Sequence, residues 1–203
     1  MGLLARGTSP YFFPTWAVAI VLAIVAVVYP LVWILAVPAL VVALLMLNFF
    51  RDPDRRPGQG LVAPADGVVQ SIDEWEDGRT RVATFMNPLN VHVNRAPLDA
   101  TVRSVTHVAG GFVPAFDKES DRNERVIWVL DTEVGELEVV QIAGAVARRI
   151  VPYLAVGAKV KKGERIGIIR LGSRVDVYLP PGVSPAVKVG EKMVAGVTCL
   201  ARV

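Results

Sequence analysis

The stretch Ile169-Arg170-Leu171-Gly172-Ser173-Arg174-Val175-Asp176-Val177-Tyr178-Leu179-Pro180 sets a Gly-Ser pair inside an apolar, β-branched run. Strand interiors normally avoid both residues. Glycine admits backbone conformations closed to other residues, and serine places a nucleophilic hydroxyl next to a flexible carbonyl. Ser173 can therefore attack the carbonyl of Gly172 and turn that amide into an ester. β-Elimination of the ester would cut the chain and leave dehydroalanine, which hydrolyses to a pyruvoyl group at the new N-terminus. The pair alone does not establish this chemistry, because Gly-Ser is a common dipeptide and a bulge or turn is its ordinary explanation.

Around this stretch, the 203 residues suffice for one domain with a substantial core. A hydrophobic share of 53% is high for a soluble protein and directs attention to membrane segments. The net charge of +3 suits work at an anionic lipid surface. Nucleic acid is not an expected partner, since no basic block or binding motif accompanies that charge. The single cysteine, Cys199, excludes an internal disulfide, and with only two histidines a Cys/His metal site is not expected. Cys199 lies in an apolar run and reads as a core residue.

From Tyr11 to Phe50 there is no charged residue. One continuous helix of that length would be about 60 Å long, twice the hydrocarbon thickness. Pro30 divides it into two pieces, each near crossing length, with Trp16, Tyr29 and Trp33 as candidate interface anchors. Residues 1–50 thus read as a helical membrane-anchoring hairpin, either crossing the bilayer or dipping in and returning. Arg6 before it and Arg51, Arg55 and Arg56 after it put both ends on the cytoplasmic side. Residues 51–60, with two prolines, two glycines and five charges, read as a linker.

Beyond residue 60 the hydrophobic period becomes two. Val62–Ile72, Arg81–Phe85, Val126–Leu130 and Leu137–Ile142 read as strands, punctuated at Asp66-Gly67, Asp77-Gly78, Gly110-Gly111, Gly135 and Gly157. Val156–Gly167 and Val189–Gly196 share a glycine cadence that resembles the turns of biotinyl and lipoyl carrier domains. The expected fold is mostly β, with short antiparallel strands in a barrel-sandwich-like arrangement over residues 61–203. The polar segment between Gly111 and Asn123 reads as a mobile loop near a substrate entry.

Leu171-Gly172-Ser173 and the following Arg-Val-Asp-Val-Tyr-Leu-Pro resemble the self-cleavage region of the short phosphatidylserine decarboxylases. Phe49-Phe50-Arg51-Asp52-Pro53, Ala63-Pro64-Ala65-Asp66-Gly67, Asn90-Val91-His92-Val93-Asn94-Arg95-Ala96-Pro97 and Asn123-Glu124-Arg125-Val126 agree with that family in the same order. The resemblance covers residues 49–203. It implies cleavage between 172 and 173, a covalent pyruvoyl cofactor made from Ser173, and large (1–172) and small (173–203) chains that stay together. The carbonyl would form a Schiff base with phosphatidylserine, act as electron sink while carbon dioxide leaves, and yield phosphatidylethanolamine. A homo-oligomer is compatible with this reading but not required by it.

The resemblance also assigns roles. His92 would accept the Ser173 hydroxyl proton and later move protons in turnover, although a histidine on a strand is more often structural. Asp66 would orient His92, although it otherwise reads as an ordinary turn aspartate. Arg95 stands where longer members carry a second histidine; it and Arg174 are candidate ligands for the lipid phosphate. Asp176 competes for the orienting role, but its odd offset from Ser173 points it to the other face of a strand. His107 reads as structural. Three other readings remain: the same chemistry on archaetidylserine or another serine lipid, a membrane-anchored biotinyl-type module, and a purely structural membrane protein, which would stay an intact chain. The second lacks a Met-Lys-Met hairpin; Lys192-Met193 is the nearest fragment.

Overall fold

The computed structural model describes residues 4–75, 77–111, 113–114, 118–144, 149–170 and 173–203. The chain forms two compact units, residues 1–53 and 54–203.

The first unit is a pair of apolar helices, α1 (Ser9–Val28) and α2 (Trp33–Phe49), joined through a 3-10 turn at Pro30–Val32. Proline lacks the amide needed to continue α1, so the first helix ends at Val28 and the chain turns. The helices face each other through Ala19, Ala26, Ala36 and Ala43, while most of the larger apolar side chains point outward. Ser9–Val28 and Pro30–Phe49 each run 20 residues, long and apolar enough to cross a membrane.

The second unit is built almost wholly of antiparallel strands. Its main sheet has eight, in spatial order β12 (Lys192–Met193), β2 (Gly67–Glu74), β3 (Thr80–Met86), β11 (Ser173–Leu179), β7 (Gly135–Ala143), β6 (Arg125–Thr132), β5 (Ala100–Val108) and β9 (Lys159–Val160). A three-stranded sheet orders β4 (Val93–Arg95), β10 (Arg165–Ile169) and β8 (Ile150–Pro152), and β1 (Leu61–Val62) pairs with β13 (Cys199–Ala201). Alternation sets the core: Val126, Trp128 and Leu130 of β6 are buried, as are Leu137 and Val139 of β7 and Val175, Val177 and Leu179 of β11.

The strand expected over Val62–Ile72 is interrupted. Pro64-Ala65-Asp66 breaks it into β1 and β2, which belong to different sheets. Gly67 makes that passage sterically feasible, because a Cβ there would lie 2.2 Å from the Phe85 carbonyl oxygen. Cys199, expected in the core, is half-buried at the start of β13, with its thiol 3.3 Å from the Ala201 carbonyl.

The two stretches that share a glycine cadence do carry matching turns, but the repeated unit starts at Val160 and Val187 rather than at Val156 and Val189. Lys161 N donates to Glu164 Oε2 at 2.9 Å and Lys188 N to Glu191 Oε2 at 3.0 Å. Both turns place a left-handed glycine, Gly163 or Gly190, directly before the glutamate. The common unit is therefore Val-Lys-x-Gly-Glu at 160–164 and 187–191, each leading into a strand.

The carbonyl facing Gly67 belongs to backbone and cannot swing away. Gly67→Ala is expected to destabilise the protein by roughly 1–3 kcal/mol, as overpacking does. Gly182→Ala meets open space and adds only left-handed strain, at most about 1–2 kcal/mol. The difference between their urea midpoints checks the assignment.

Candidate active site

Ser173 opens β11 and is fully buried. It pairs in register with Met86 of β3 on one side and Ala143 of β7 on the other, so three strands fix its backbone. Its Oγ lies 3.4 Å from Met86 Sδ, a weak acceptor that holds the hydroxyl proton lightly. Leu171 and Gly172, the other two residues of the expected cleavage motif, lie outside the described residues.

Along β11, Ser173 shares the core face with Val175, Val177 and Leu179, while Arg174 and Asp176 point to the other face. There Arg174 forms two 2.8 Å hydrogen bonds with the Asp176 carboxylate, one with Ser120 Oγ at 2.8 Å, and an ion pair with Asp121. Arg81 adds a second cation 3.8 Å from Asp176. Burial pushes the Asp176 carboxyl up, against the pull of Arg174 and Arg81. The segment read as an unpatterned loop thus contains a 3-10 turn, Lys118–Arg122, fastened to the residue after Ser173. Arg174 is engaged by protein groups on the face opposite the Ser173 hydroxyl.

His92 lies just before β4 and is fully buried. Its Nδ1 is 3.0 Å from the Asn90 carbonyl oxygen. A carbonyl only accepts, so Nδ1 carries the proton and a neutral ring presents a basic Nε2. The His92 carbonyl in turn accepts from Ile169 N at 3.3 Å, which lays this segment along the strand leading to the Gly-Ser pair.

Asp66 acts nearby on the backbone. Its Oδ2 accepts from Val91 N at 3.3 Å, its Oδ1 from Ala195 N at 2.8 Å, and both oxygens face the Arg55 guanidinium at 2.5 and 2.9 Å. Among the described contacts the ring of His92 is oriented by Asn90, and Asp66 fixes the residue before it. Arg55 also donates to the Ala195 carbonyl, and Gly58 N to the Gly196 carbonyl, so the second half of the expected linker belongs to the folded unit. Arg95 is buried as well: its amide donates to the Pro64 carbonyl and its guanidinium to the Gly163 carbonyl, both at 2.9 Å. Blocks 63–67 and 90–97 and the residues Ile169 and Ser173, distant in sequence, therefore meet here. His107 is exposed on β5 and pairs with Glu124 at 3.0 Å.

Sequence reading missed Arg55, Met86, Asn94 and Gln141. Gln141 carried a signal, a lone amide in the run Val139-Val140-Gln141-Ile142, because a polar side chain inside a buried strand requires a partner. Arg55 was hidden by its place in a proline-rich segment.

The Arg55–Asp66 pair is almost fully enclosed. Removing one partner strands the other charge, so Asp66→Asn and Arg55→Gln are each expected to cost about 3–5 kcal/mol. The double variant should cost less than the two combined, measured by thermal unfolding. A chain starting at Asp54 should fold, whereas one starting at Leu61 should be markedly less stable.

Comparison with known proteins adds a second line of support. The sequence model described as phosphatidylserine decarboxylase matches residues 42–201. A phosphatidylserine decarboxylase proenzyme of Streptomyces coelicolor is 63% identical over 200 residues, covering 98% of this chain and 92% of the relative. The one from Thermobifida fusca is 60% identical over 200 residues, with 98% and 92% covered. A putative archaetidylserine decarboxylase proenzyme of Halobacterium salinarum is 46% identical over 207 residues, covering 98% of this chain and all of the relative. With the family's sequence model matched over residues 42–201 and relatives at 60% identity or more along nearly the whole chain, the chain belongs to the phosphatidylserine decarboxylase family.

Proposed function

We propose that this protein is a self-processing, pyruvoyl-dependent enzyme that converts phosphatidylserine to phosphatidylethanolamine at the membrane. The observation that supports it most is Ser173 itself. Its hydroxyl is wholly buried at the head of a central strand, held among the described residues by a thioether alone, with the basic-nitrogen tautomer of His92 in a neighbouring segment. A buried serine without a strong acceptor is a poor structural element but a usable nucleophile.

Processing balances as follows. The Ser173 oxygen bonds to the carbonyl carbon of residue 172 as the peptide C–N bond breaks, and the hydroxyl proton ends on the freed nitrogen. A base then removes the Cα proton of residue 173. The Cβ–O bond breaks, and residue 172 leaves as a carboxylate. Water adds to the resulting dehydroalanine and ammonia departs, leaving the pyruvoyl group. His92 is the assigned proton carrier, and Asp66 supports it through the backbone at Val91.

The residues fit the group: after conversion, position 173 carries a methyl where the hydroxyl was, and Met86 is a suitable neighbour for a methyl. The pyruvoyl carbonyl supplies an electrophile for a primary amine and a sink for the electrons released with carbon dioxide. The chain's own part is to enclose residue 173, to exclude bulk water there, and to keep a basic nitrogen at His92. Arg95 and Arg174 are assigned to holding the fold around the site, since both guanidiniums bond protein groups.

In this reading residues 1–50 anchor the enzyme in the membrane, with the arginines after them holding the catalytic unit on the cytoplasmic side. The similarity to a named archaetidylserine relative favours one second reading, the same chemistry on a serine lipid with ether chains. The headgroups are identical, so comparing turnover of diacyl and dialkyl serine lipids in otherwise equal vesicles separates the two.

Intact mass is the test. The mature protein should be two chains, 1–172 and 173–203, the smaller blocked to Edman sequencing. Ser173→Ala should stay whole and inactive, and His92→Ala should be cut slowly and turn over poorly. A single uncut species with full decarboxylase activity would overturn the proposal.

A further inference from the structure

Four hydrogen bonds run through the core to Ser173. Trp128 Nε1 donates to Gln141 Oε1 at 2.7 Å, and Gln141 Nε2 donates to Asn94 Oδ1 at 2.7 Å. Asn94 Nδ2 then faces Met86 Sδ at 3.8 Å, the sulfur that also takes the Ser173 hydroxyl at 3.4 Å. All five side chains are fully buried.

The direction of this relay is forced. An indole nitrogen only donates, so Gln141 must turn its oxygen to Trp128 and its NH2 to Asn94. Asn94 must then receive with its oxygen and aim its NH2 at the sulfur. Gly167 leaves room for this: a Cβ there would lie 3.2 Å from both polar atoms of the Gln141 amide and 2.9 Å from the Val151 carbonyl oxygen. The structure thus maintains a buried, oriented amide donor whose acceptor is long and weak. A thioether does not justify such an arrangement.

We propose that the Asn94 carboxamide is the hydrogen-bond donor for the Ser173 oxygen during self-cleavage, acting in the elimination step. This rests on the self-processing reading above. When the Cβ–O bond of the ester breaks, the electron pair leaves with that oxygen, which becomes part of the carboxylate of residue 172. Met86 has no proton to offer, and its lone pairs face the growing charge. Asn94 shares the sulfur with that oxygen and exchanges a poor acceptor for a strong one as charge develops. A donor that gains strength only as the bond breaks lowers the barrier without slowing the earlier acyl shift.

The experiment follows maturation of the full-length chain in detergent by intact mass, with and without hydroxylamine. Hydroxylamine attacks the ester carbonyl of residue 172 and releases residues 173–203 with a free serine N-terminus, open to Edman sequencing. Asn94→Ala should form the ester yet eliminate about a hundredfold more slowly, so the hydroxylamine-released chain accumulates. Trp128→Phe keeps the core shape but frees both amides to rotate, and should accumulate the same ester to a smaller extent. It carries the test if Asn94→Ala does not fold.

Maturation of Asn94→Ala at the parent rate would overturn the proposal. So would a folded, uncut Asn94→Ala that is inert to hydroxylamine, since the defect would then lie before the ester. A parent chain that never yields the blocked small chain would instead sink the self-processing reading.

Discussion

Everything at this site depends on β11 lying between β3 and β7. Ser173 to Leu179 pair residue for residue with Met86 to Thr80, and Ser173 to Tyr178 with Ala143 to Glu138. A strand bonded on both edges cannot slip by one residue without exchanging its two faces. Register therefore determines that the serine hydroxyl enters the core and the Arg174 guanidinium does not. The same two neighbours supply Met86 and Gln141, so one pairing pattern assembles both the proposed nucleophile and the polar groups behind it.

The two faces of β11 solve different problems. On the inner face polar groups are few, and two of them are oriented by partners of fixed character, His92 by the Asn90 carbonyl and Asn94, through Gln141, by the Trp128 indole. On the outer face Arg174, Asp176, Arg81 and Asp121 form a cluster of alternating charge, extended by Asp73 on β2. Burial disfavours each charge there, and the paired geometry offsets that cost. This cluster fastens Lys118–Arg122 over the strand and explains why β11 is buried on both sides.

Much of this was legible in the residues. The apolar run, Pro30 and the period-two segments carried the two-part architecture, because hydrophobic period and proline chemistry are local properties. Likewise, the offset of three between Ser173 and Asp176 sufficed to put them on opposite faces. Strand partners were not legible: β1 and β2 are separated by four residues yet join different sheets, a choice made by distant Ala201 and Phe85. The partner of Asp66 was hidden for the same reason, since nothing local to Arg55 announces a bidentate pair eleven residues away. In the glycine repeat the spacing of glycines is the visible signal, whereas the chain repeats the glutamate that caps each turn.

The position of β11 has one more consequence. Cleavage before Ser173 would make residues 173–203 a separate molecule, yet that piece supplies β11 to the middle of the main sheet, β12 to its edge, and β13 to another sheet. No face-to-face interface exists along which such a fragment can detach; its release is the unfolding of the domain. The first folding would then be unimolecular and take place while the chain is whole. Any later refolding would be a bimolecular search with a 31-residue partner that has no core of its own. Maturation would thus turn an equilibrium fold into a kinetically held one, an enzyme assembled once and afterwards dependent on the slowness of its own unfolding.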